Sequence, residues 1–496
     1  MPFKTLNTEN LTLLTKSKRS QSALEYMMTY GWAILIIVIV AVILYSMGIF
    51  NPSSSVTFTS SGFSPFTVSS SLCNNLGYKI AVLAGPIPNN ANSITINKVF
   101  VTSATGANTT TASYTLTNPV TLKSGQSTTI IIPNVACTAA KVHYSFSAKI
   151  QYSYTAGTLG LQYVNTSGTI AGTSISGKPS ALTSYEPITI TNSQSSATPN
   201  PFQQMVNFTS SDNGWTSIST GNFGQNVEFF YYNGTIIPSW LENYTSTNAI
   251  WWLKVAAIPA GSSETVYVGF APTTTNLFNT VNDGEAPQLS STYAEYDDGA
   301  NVFNFYSDFK GTSLNLSKWN YLSSATFTVD NSFLIYNSFN YNRFVLSSKQ
   351  YFDNLSIFGT YSQFYTNETS CPYLFWGNEG NDNYKVIRIG GGDCYVHYAG
   401  YPEAHFNTPY NAYFSSEPEL FYIIPKNFTY LEGFYNNVYI GTFYYNYPIG
   451  NSPSLNVNLF LGNSVDPAQF VKTYYVFGGS PIPNGVMPSV SFGSVA

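Results

Sequence analysis

The chain has 496 residues, 44% hydrophobic, 16% aromatic and only 9% charged, with a formal net charge of −5. Soluble domains average about 25% charged residues, so this is neither a typical cytoplasmic enzyme nor a charge-rich disordered chain. With 19 Lys+Arg against 24 Asp+Glu, a basic nucleic-acid-binding surface is excluded as well. At roughly 150 residues per domain the length allows about three domains, each able to bury a core.

The charges are unevenly placed. No Asp or Glu occurs from Tyr26 to Tyr185, where the charged residues are six lysines (Lys79, Lys98, Lys123, Lys141, Lys149 and Lys178). Carboxylate catalysis and carboxylate-held calcium are thereby excluded from that stretch.

Residues 1–20 are polar and basic, with Lys4, Lys16, Lys18 and Arg19 against Glu9. A charge-free apolar run follows from Met27 to Phe50, long enough as a helix to span a bilayer, and Asn51-Pro52 ends it. The basic flank predicts residues 1–20 in the cytoplasm and 51–496 outside. Ser46, Met47 and Gly48 faintly mimic an ordinary signal-peptidase site. The segment Lys16-Ser-Lys-Arg-Ser-Gln-Ser-Ala-Leu-Glu-Tyr26 resembles instead the class III signal peptide of archaeal type IV pilin-like proteins. That resemblance implies cleavage by a prepilin-type peptidase between Ser20 and Gln21, with the helix 21–50 kept on the mature protein. It also makes Glu25 the fifth mature residue, an assembly residue pairing with a neighbour's N-terminal amine. A carboxylate at the edge of an apolar helix is costly unless paired or snorkelling to water. An uncleaved membrane anchor is the alternative, and Ser in place of Gly or Ala before the cut departs from the family pattern.

Beyond Asn51 the chain reads as β, with short runs of Val, Ile, Thr, Tyr and Phe punctuated by Gly and Pro. In Val142–Tyr154 the residues Val142, Tyr144, Phe146, Ala148, Ile150, Tyr152 and Tyr154 share one face, as in a half-buried antiparallel strand. Ser93–Val101 and Ser127–Ile132 read similarly. Residues 51–182 are expected to form one β-sandwich, with Gly157–Ser180 as its frayed end or a linker. Trp251 and Trp252 of the run Ala249–Val255 are expected on opposite faces of a strand, packed in a core. The series Glu186–Asn192, Ile237–Glu242, Ala249–Val255 and Ile258–Gly269 resembles the domain-of-unknown-function family numbered 2341, which places a second sandwich at 183–299. Asn301–Trp319 and the pair Thr473–Phe477 and Ser489–Gly493 resemble the opening and closing strands of concanavalin A-like (laminin G-like) jelly rolls, which places such a fold at 300–496. The fold class expected is thus all-β and multi-domain: a pilin-like helix, two sandwiches and a jelly roll.

Four cysteines, Cys73, Cys137, Cys371 and Cys394, allow three pairings. One bridge per domain, Cys73–Cys137 and Cys371–Cys394, is the economical choice and suits an oxidising exterior, with four free thiols as the alternative. No CxxC spacing points to zinc. His143, His397 and His405 are too scattered for a metal site. Asp308, Asp393 and Asp466 are oxygen donors that leave calcium open in the last domain, though no spacing organises them into a site. Asn-x-Ser/Thr occurs at Asn108, Asn165, Asn207, Asn233, Asn243, Asn315, Asn354, Asn367 and Asn427, about the number that so Asn- and Ser/Thr-rich a chain produces by chance.

Glycoside hydrolases share the jelly-roll fold and need two carboxylates flanking the bond. The Glu-x-Asp-x-x-Glu spacing of the best known hydrolase branch is absent. The nearest clusters are Glu295/Asp297/Asp298, Glu417-Pro-Glu419 and Glu379 with Asp382; Pro418 would interrupt a central strand, so Glu417 and Glu419 are expected at an edge or loop. The chain therefore reads as no enzyme. The expectation is an archaeal cell-surface adhesion or envelope protein, membrane-anchored through residues 27–50 or assembled as a pilus. Its lectin-like last domain would bind glycans or surface partners and no nucleic acid; no cofactor is implied. A ligand-free structural protein is the alternative, and a polysaccharide hydrolase the remoter one. Scarce carboxylates further predict an acid-tolerant exterior, because few of them need protonating as pH falls.

Overall fold

A computed structural model describes residues 34–36, 38, 58–88, 91–108, 111–132, 135–321, 326–336, 344–352, 356–365, 372–377, 395–396, 404–405, 417–425, 430–435, 438–444, 456–461 and 470–496. Ile34, Leu35, Ile36 and Val38 are helical with exposed apolar side chains. Among the described residues no helix is long and apolar enough to cross a membrane. The rest of the apolar segment 21–50, where the membrane or pilin-like helix is expected, lies outside them.

The chain divides into two compact units, Met1–Gly177 and Lys178–Ala496. In the first, strands β1 (Phe58–Gly62), β2 (Phe66–Asn74), β3 (Gly77–Ala84), β4 (Ile94–Thr105), β5 (Ala112–Leu122), β6 (Ser127–Ile132), β7 (His143–Thr155) and β8 (Leu161–Thr173) form two sheets, ordered β1-β8-β7-β4-β5 and β2-β3-β6. Alternation builds the core between them. Tyr144, Phe146, Ala148, Ile150, Tyr152 and Tyr154 of β7 point inward and meet Tyr78, Ile80 and Val82 of β3 in one cluster. A disulfide joins Cys73 at the end of β2 to Cys137 beyond β6, with Cα atoms 5.6 Å apart. The segment 157–180, expected to be a frayed end, is corrected: its larger part is β8, antiparallel to β7 from His143↔Thr173 to Thr155↔Leu161. Its several Gly, Ser and Asn residues have little intrinsic strand preference, and pairing along the whole length of β7 supplies the order.

The second unit opens with β9 (Ser184–Asn192), β10 (Phe202–Thr209), β11 (Val227–Tyr231), β12 (Ser239–Tyr244), β13 (Asn248–Val255), β14 (Ser262–Phe270) and β15 (Asp283–Glu285). There follow a short helix, Gly299–Val302, then β16 (Phe305–Ser307), β17 (Trp319–Tyr321), β18 (Phe327–Val329), β19 (Leu334–Tyr336) and β20 (Phe344–Ser348). Next come β21 (Ser356–Tyr365), β22 (Pro372–Gly377), β23 (Tyr395–Val396), β24 (Ala404–His405) and β25 (Glu419–Pro425). The last are β26 (Tyr430–Tyr435), β27 (Val438–Tyr444), β28 (Asn456–Leu461), β29 (Phe470–Pro481) and β30 (Ser489–Phe492).

Sheets β10-β13-β12-β15 and β11-β14-β9-β30 make a sandwich. An eight-stranded sheet, β18-β19-β29-β21-β25-β26-β27 with β16 against β29, packs on β17-β20-β28-β22. Strand β25 lies inside the large sheet and is buried on both faces. Phe421 and Ile423 point to the four-stranded sheet, whereas Leu420, Tyr422 and Ile424 point to the sandwich. One apolar cluster thus runs from Ile188 to Ile482, across the expected boundary at 299/300. The tryptophans form its centre: Trp240 packs edge-on to Tyr475 with ring centroids 5.3 Å apart, and Trp252 lies 5.8 Å from Phe477. Trp251 faces the other way, into Phe208 and Phe229.

The segment Ser489–Gly493, expected as a closing strand of the jelly roll, is also corrected. Its strand β30 pairs with β9 and completes the sandwich. Phe492 packs edge-on to Phe208 at 4.6 Å, which holds the C-terminal segment there.

Candidate functional site

Carboxylates have converged in the interior of the second unit. Glu228 comes from β11, Asp283 and Glu285 from β15, and Asp297 and Asp298 from the turn before the short helix. Asp283, Glu285 and Asp298 are no more than 3% exposed. The parallel pairing of β15 with β12 sets Gly284 beside Trp240. Over that position the Asp297-Asp298 turn closes down: the Trp240 indole N–H donates to Asp297 Oδ1 at 2.9 Å and the Gly299 amide to the same oxygen at 3.0 Å. Asp298 fills the space that a side chain at 284 would occupy, so a Cβ there would lie 2.2 Å from its Oδ1. We expect Gly284→Ala to destabilise the second unit by about 2 kcal/mol through overpacking, read as a lower unfolding midpoint for that unit alone.

The electrostatics of the cluster follow from burial with no cationic partner among the described residues. Both oxygens of Asp298, Oδ1 of Asp283, Oε1 of Glu285 and Oε2 of Glu228 are buried without a hydrogen bond. Loss of water, aggravated by Glu228, raises Asp283 to about 8, against which Asn279 Nδ2 donates a single bond of 3.3 Å. Burial with Asp297 and Asp283 alongside raises Asp298 well above the carboxylate range. Burial raises Glu285 to about 7, and Asp297 to about 6 despite its donors. Glu242 of β12 is a separate case, fully buried beneath the large sheet. Desolvation lifts it to about 8; the Trp252 indole is near enough to offset part of this without closing a hydrogen bond. Asp283, Asp298 and Glu242 are thus held mainly as neutral acids near neutral pH, and all of these groups bind protons more tightly on folding. Among the described residues no three His, Cys, Asp or Glu side chains converge to hold a metal ion.

The residues singled out in the sequence are dispersed. Ser20, Gln21, Glu25, Cys371, Cys394, His397, Asp393, Asp466, Glu379 and Asp382 lie outside the described residues. His143 is exposed at the start of β7, and His405 ends the short β24. Asp308 is half-buried, its Oδ1 accepting from the Lys310 amide at 3.3 Å. Glu417 is exposed, but the edge or loop expected for Glu419 is corrected: it opens β25, an interior strand, and Pro418 interrupts nothing because it lies just before the strand. Of the sequons, Asn108, Asn165, Asn207, Asn233 and Asn315 are exposed and Asn243 half-buried, while Asn354, Asn367 and Asn427 lie outside the described residues. Of the acids read as a junction, Asp298 is instead buried and Asp297 half-buried, inside the second unit. The unrecognised signal was the retention of Asp-Gly-Glu and Asp-Asp-Gly in so charge-poor and aromatic a stretch.

Residues 223–286, which span β11 to β15 and hold Glu228, Glu242, Asp283 and Glu285, match the family described as Domain of unknown function (DUF2341). A curated relative, "Uncharacterized protein 562" of Sulfolobus islandicus rod-shaped virus 1, is 38% identical over 130 residues, 25% of this chain and 22% of that protein. The chain therefore spans about a fifth of the relative it matches. Among solved structures, jelly-roll glycoside hydrolases are similar at a low level. The β-agarase A of Zobellia galactanivorans is 12% identical, with 36% of this chain and 91% of that one covered and a TM-score of 0.26. A putative β-glucanase of Mycobacterium abscessus is 14% identical, with 36% and 99% covered and a TM-score of 0.29. Likeness at these scores carries nothing about activity.

Proposed function

We propose that the chain is a non-catalytic protein of the archaeal cell surface, held in the membrane or assembled into a filament through residues 21–50. Its β-domains form the exterior portion, which serves adhesion or envelope structure. The observation that carries the non-catalytic part is the covered face of the eight-stranded sheet. Leu420, Tyr422, Ile424, Tyr475 and Phe477 are buried there against Trp240, Trp252 and Phe303 of the same unit. A polymer cannot lie across strands β25, β21 and β29 on that face, and the other face is the jelly-roll core. The buried carboxylates support the same reading, because acids sealed among aromatics reach no substrate from solvent. Any glycan contact then belongs to loops and sheet margins rather than to the sheet face. The exposed apolar residues Ile34, Leu35, Ile36 and Val38 support the anchoring.

N-terminal sequencing of the protein from its native envelope tests the anchoring mode. We expect a start at Gln21, produced by a prepilin-type peptidase; retained Met1 overturns processing and leaves a simple anchor. Release of reducing ends from polysaccharides, lost in Glu417→Gln or Glu419→Gln, would overturn the non-catalytic reading.

A further inference from the structure

Strand β8 of the first unit is only half covered. Its neighbour β1 pairs with Gly168–Gly172 and stops at Gly62. There φ of +87° at Gly62 and +68° at Phe63 turns the chain off the sheet edge. The Phe63 amide donates to Ser167 O at 2.9 Å. In an antiparallel sheet, N–H and C=O groups face a given neighbour at every second residue. Leu161, Tyr163 and Asn165 therefore direct their backbone groups the same way as Ser167, to a side where no strand pairs among the described residues. Their side chains stand on the outer face of the sheet, Leu161 56% and Tyr163 65% exposed, with Leu159 at 77% on the adjoining turn.

An open strand edge is normally protected by lysine, proline or a bulge. Strand β8 has no proline, the register with β7 is unbroken, and no residue from Ile150 to Gly177 is charged. An uncharged edge offers nothing that repels an identical edge, and antiparallel pairing about a two-fold axis is the arrangement in which one segment complements itself.

We propose that the open half of β8 pairs antiparallel with the same segment of a second copy of this chain. Tyr163 lies opposite Tyr163 of the other copy and Leu161 opposite Asn165, joining two five-stranded sheets into one. The contact is short against the area of a stable interface, so it is weak between free molecules. It gains strength where copies are held side by side, as on a membrane, because the second contact is then intramolecular in effect.

The test uses the full chain in detergent, with a benzophenone amino acid placed at position 163 or, as a control on the other unit, at the exposed position 281. At high micromolar concentration, illumination should give a covalent dimer from position 163 and not from 281, with the adduct mapping to residues 161–165 of the second copy. The double substitution Leu161→Lys with Asn165→Lys sets lysine opposite lysine on an exposed face, and should reduce the adduct at least tenfold without moving the unfolding midpoint. Equal adducts at 163 and 281, an adduct mapping elsewhere, or a yield indifferent to the lysines would overturn the pairing. A monomer without adduct would also overturn it, leaving the edge to a foreign strand. Should the lysine variant fail to fold, the adduct map of the parent chain still decides.

Discussion

Raising the pH from about 4.5 to about 7 should lower the unfolding midpoint of residues 178–496 and leave that of the first unit where it is. The sign follows from where the acids lie. A carboxyl whose pKa is raised by folding binds its proton more tightly in the folded chain. Its contribution is complete below the unfolded pKa and is lost as pH climbs toward the folded one. Glu242 and Asp283 stand at about 8 and are fully or almost fully buried, so both lose stability throughout that window. One pKa unit is worth about 1.4 kcal/mol, so each costs on the order of 3 kcal/mol between about pH 4.5 and 7. Asp298, Glu285 and Asp297 act in the same direction. The first unit is an internal control, since residues 26–177 hold no carboxylate side chain. Calorimetry of the full chain across this range checks the expectation: a second-unit midpoint that stays level or rises with pH would sink it. Glu242→Gln isolates one group. The neutral amide should raise the midpoint at pH 7 and leave it nearly unchanged at pH 4.

This modifies the argument from composition. Scarcity of carboxylates predicts that little stability is lost in acid, and the buried acids of the second unit are expected to go further and favour the folded state there. Composition could not reveal this, because the effect depends on burial. Glu228, Asp283 and Asp298 come from three separate segments, and only the parallel pairing of β15 with β12 and the turn over Gly284 bring them together. Local pattern was legible wherever two-residue alternation was strong. Residues 144–154 of β7 bury the predicted face, although Val142, placed on it as well, precedes the strand and is exposed; β6 has the predicted bounds, and Trp251 and Trp252 are core on opposite faces. It failed where side chains are small, as in β8, whose order comes from β7. It failed again at β30, where a short Ser-Val-Ser-Phe strand suits either sheet and the contact of Phe492 with Phe208 selects the sandwich. The covered sheet face was also hidden, because Leu420-Phe-Tyr-Ile-Ile424 is apolar at every position and does not say what lies on either side.

Replacing Cys73 and Cys137 together by alanine should have the opposite domain pattern. The bridge closes a loop with a sequence separation of 64 and ties the end of β2, in the three-stranded sheet, to the segment that follows β6. Loop closure of that length constrains the unfolded chain by about 4 kcal/mol on an entropic estimate. Both sulfurs are buried in the core cluster, so no exposed partner compensates for their removal. The first-unit transition should therefore drop by many degrees, with its insensitivity to pH retained, while the second-unit transition keeps both its midpoint and its pH dependence. The double substitution is preferable to a reductant because it removes this bridge alone. A parallel fall in both transitions would mean that the units unfold as one, and would remove the basis for using the first as a control on the second. If the drop is confined to the first unit, its stability rests on a covalent tie where acid–base pairs are absent. The second unit draws instead on aromatic burial and on protons held by sealed carboxyls.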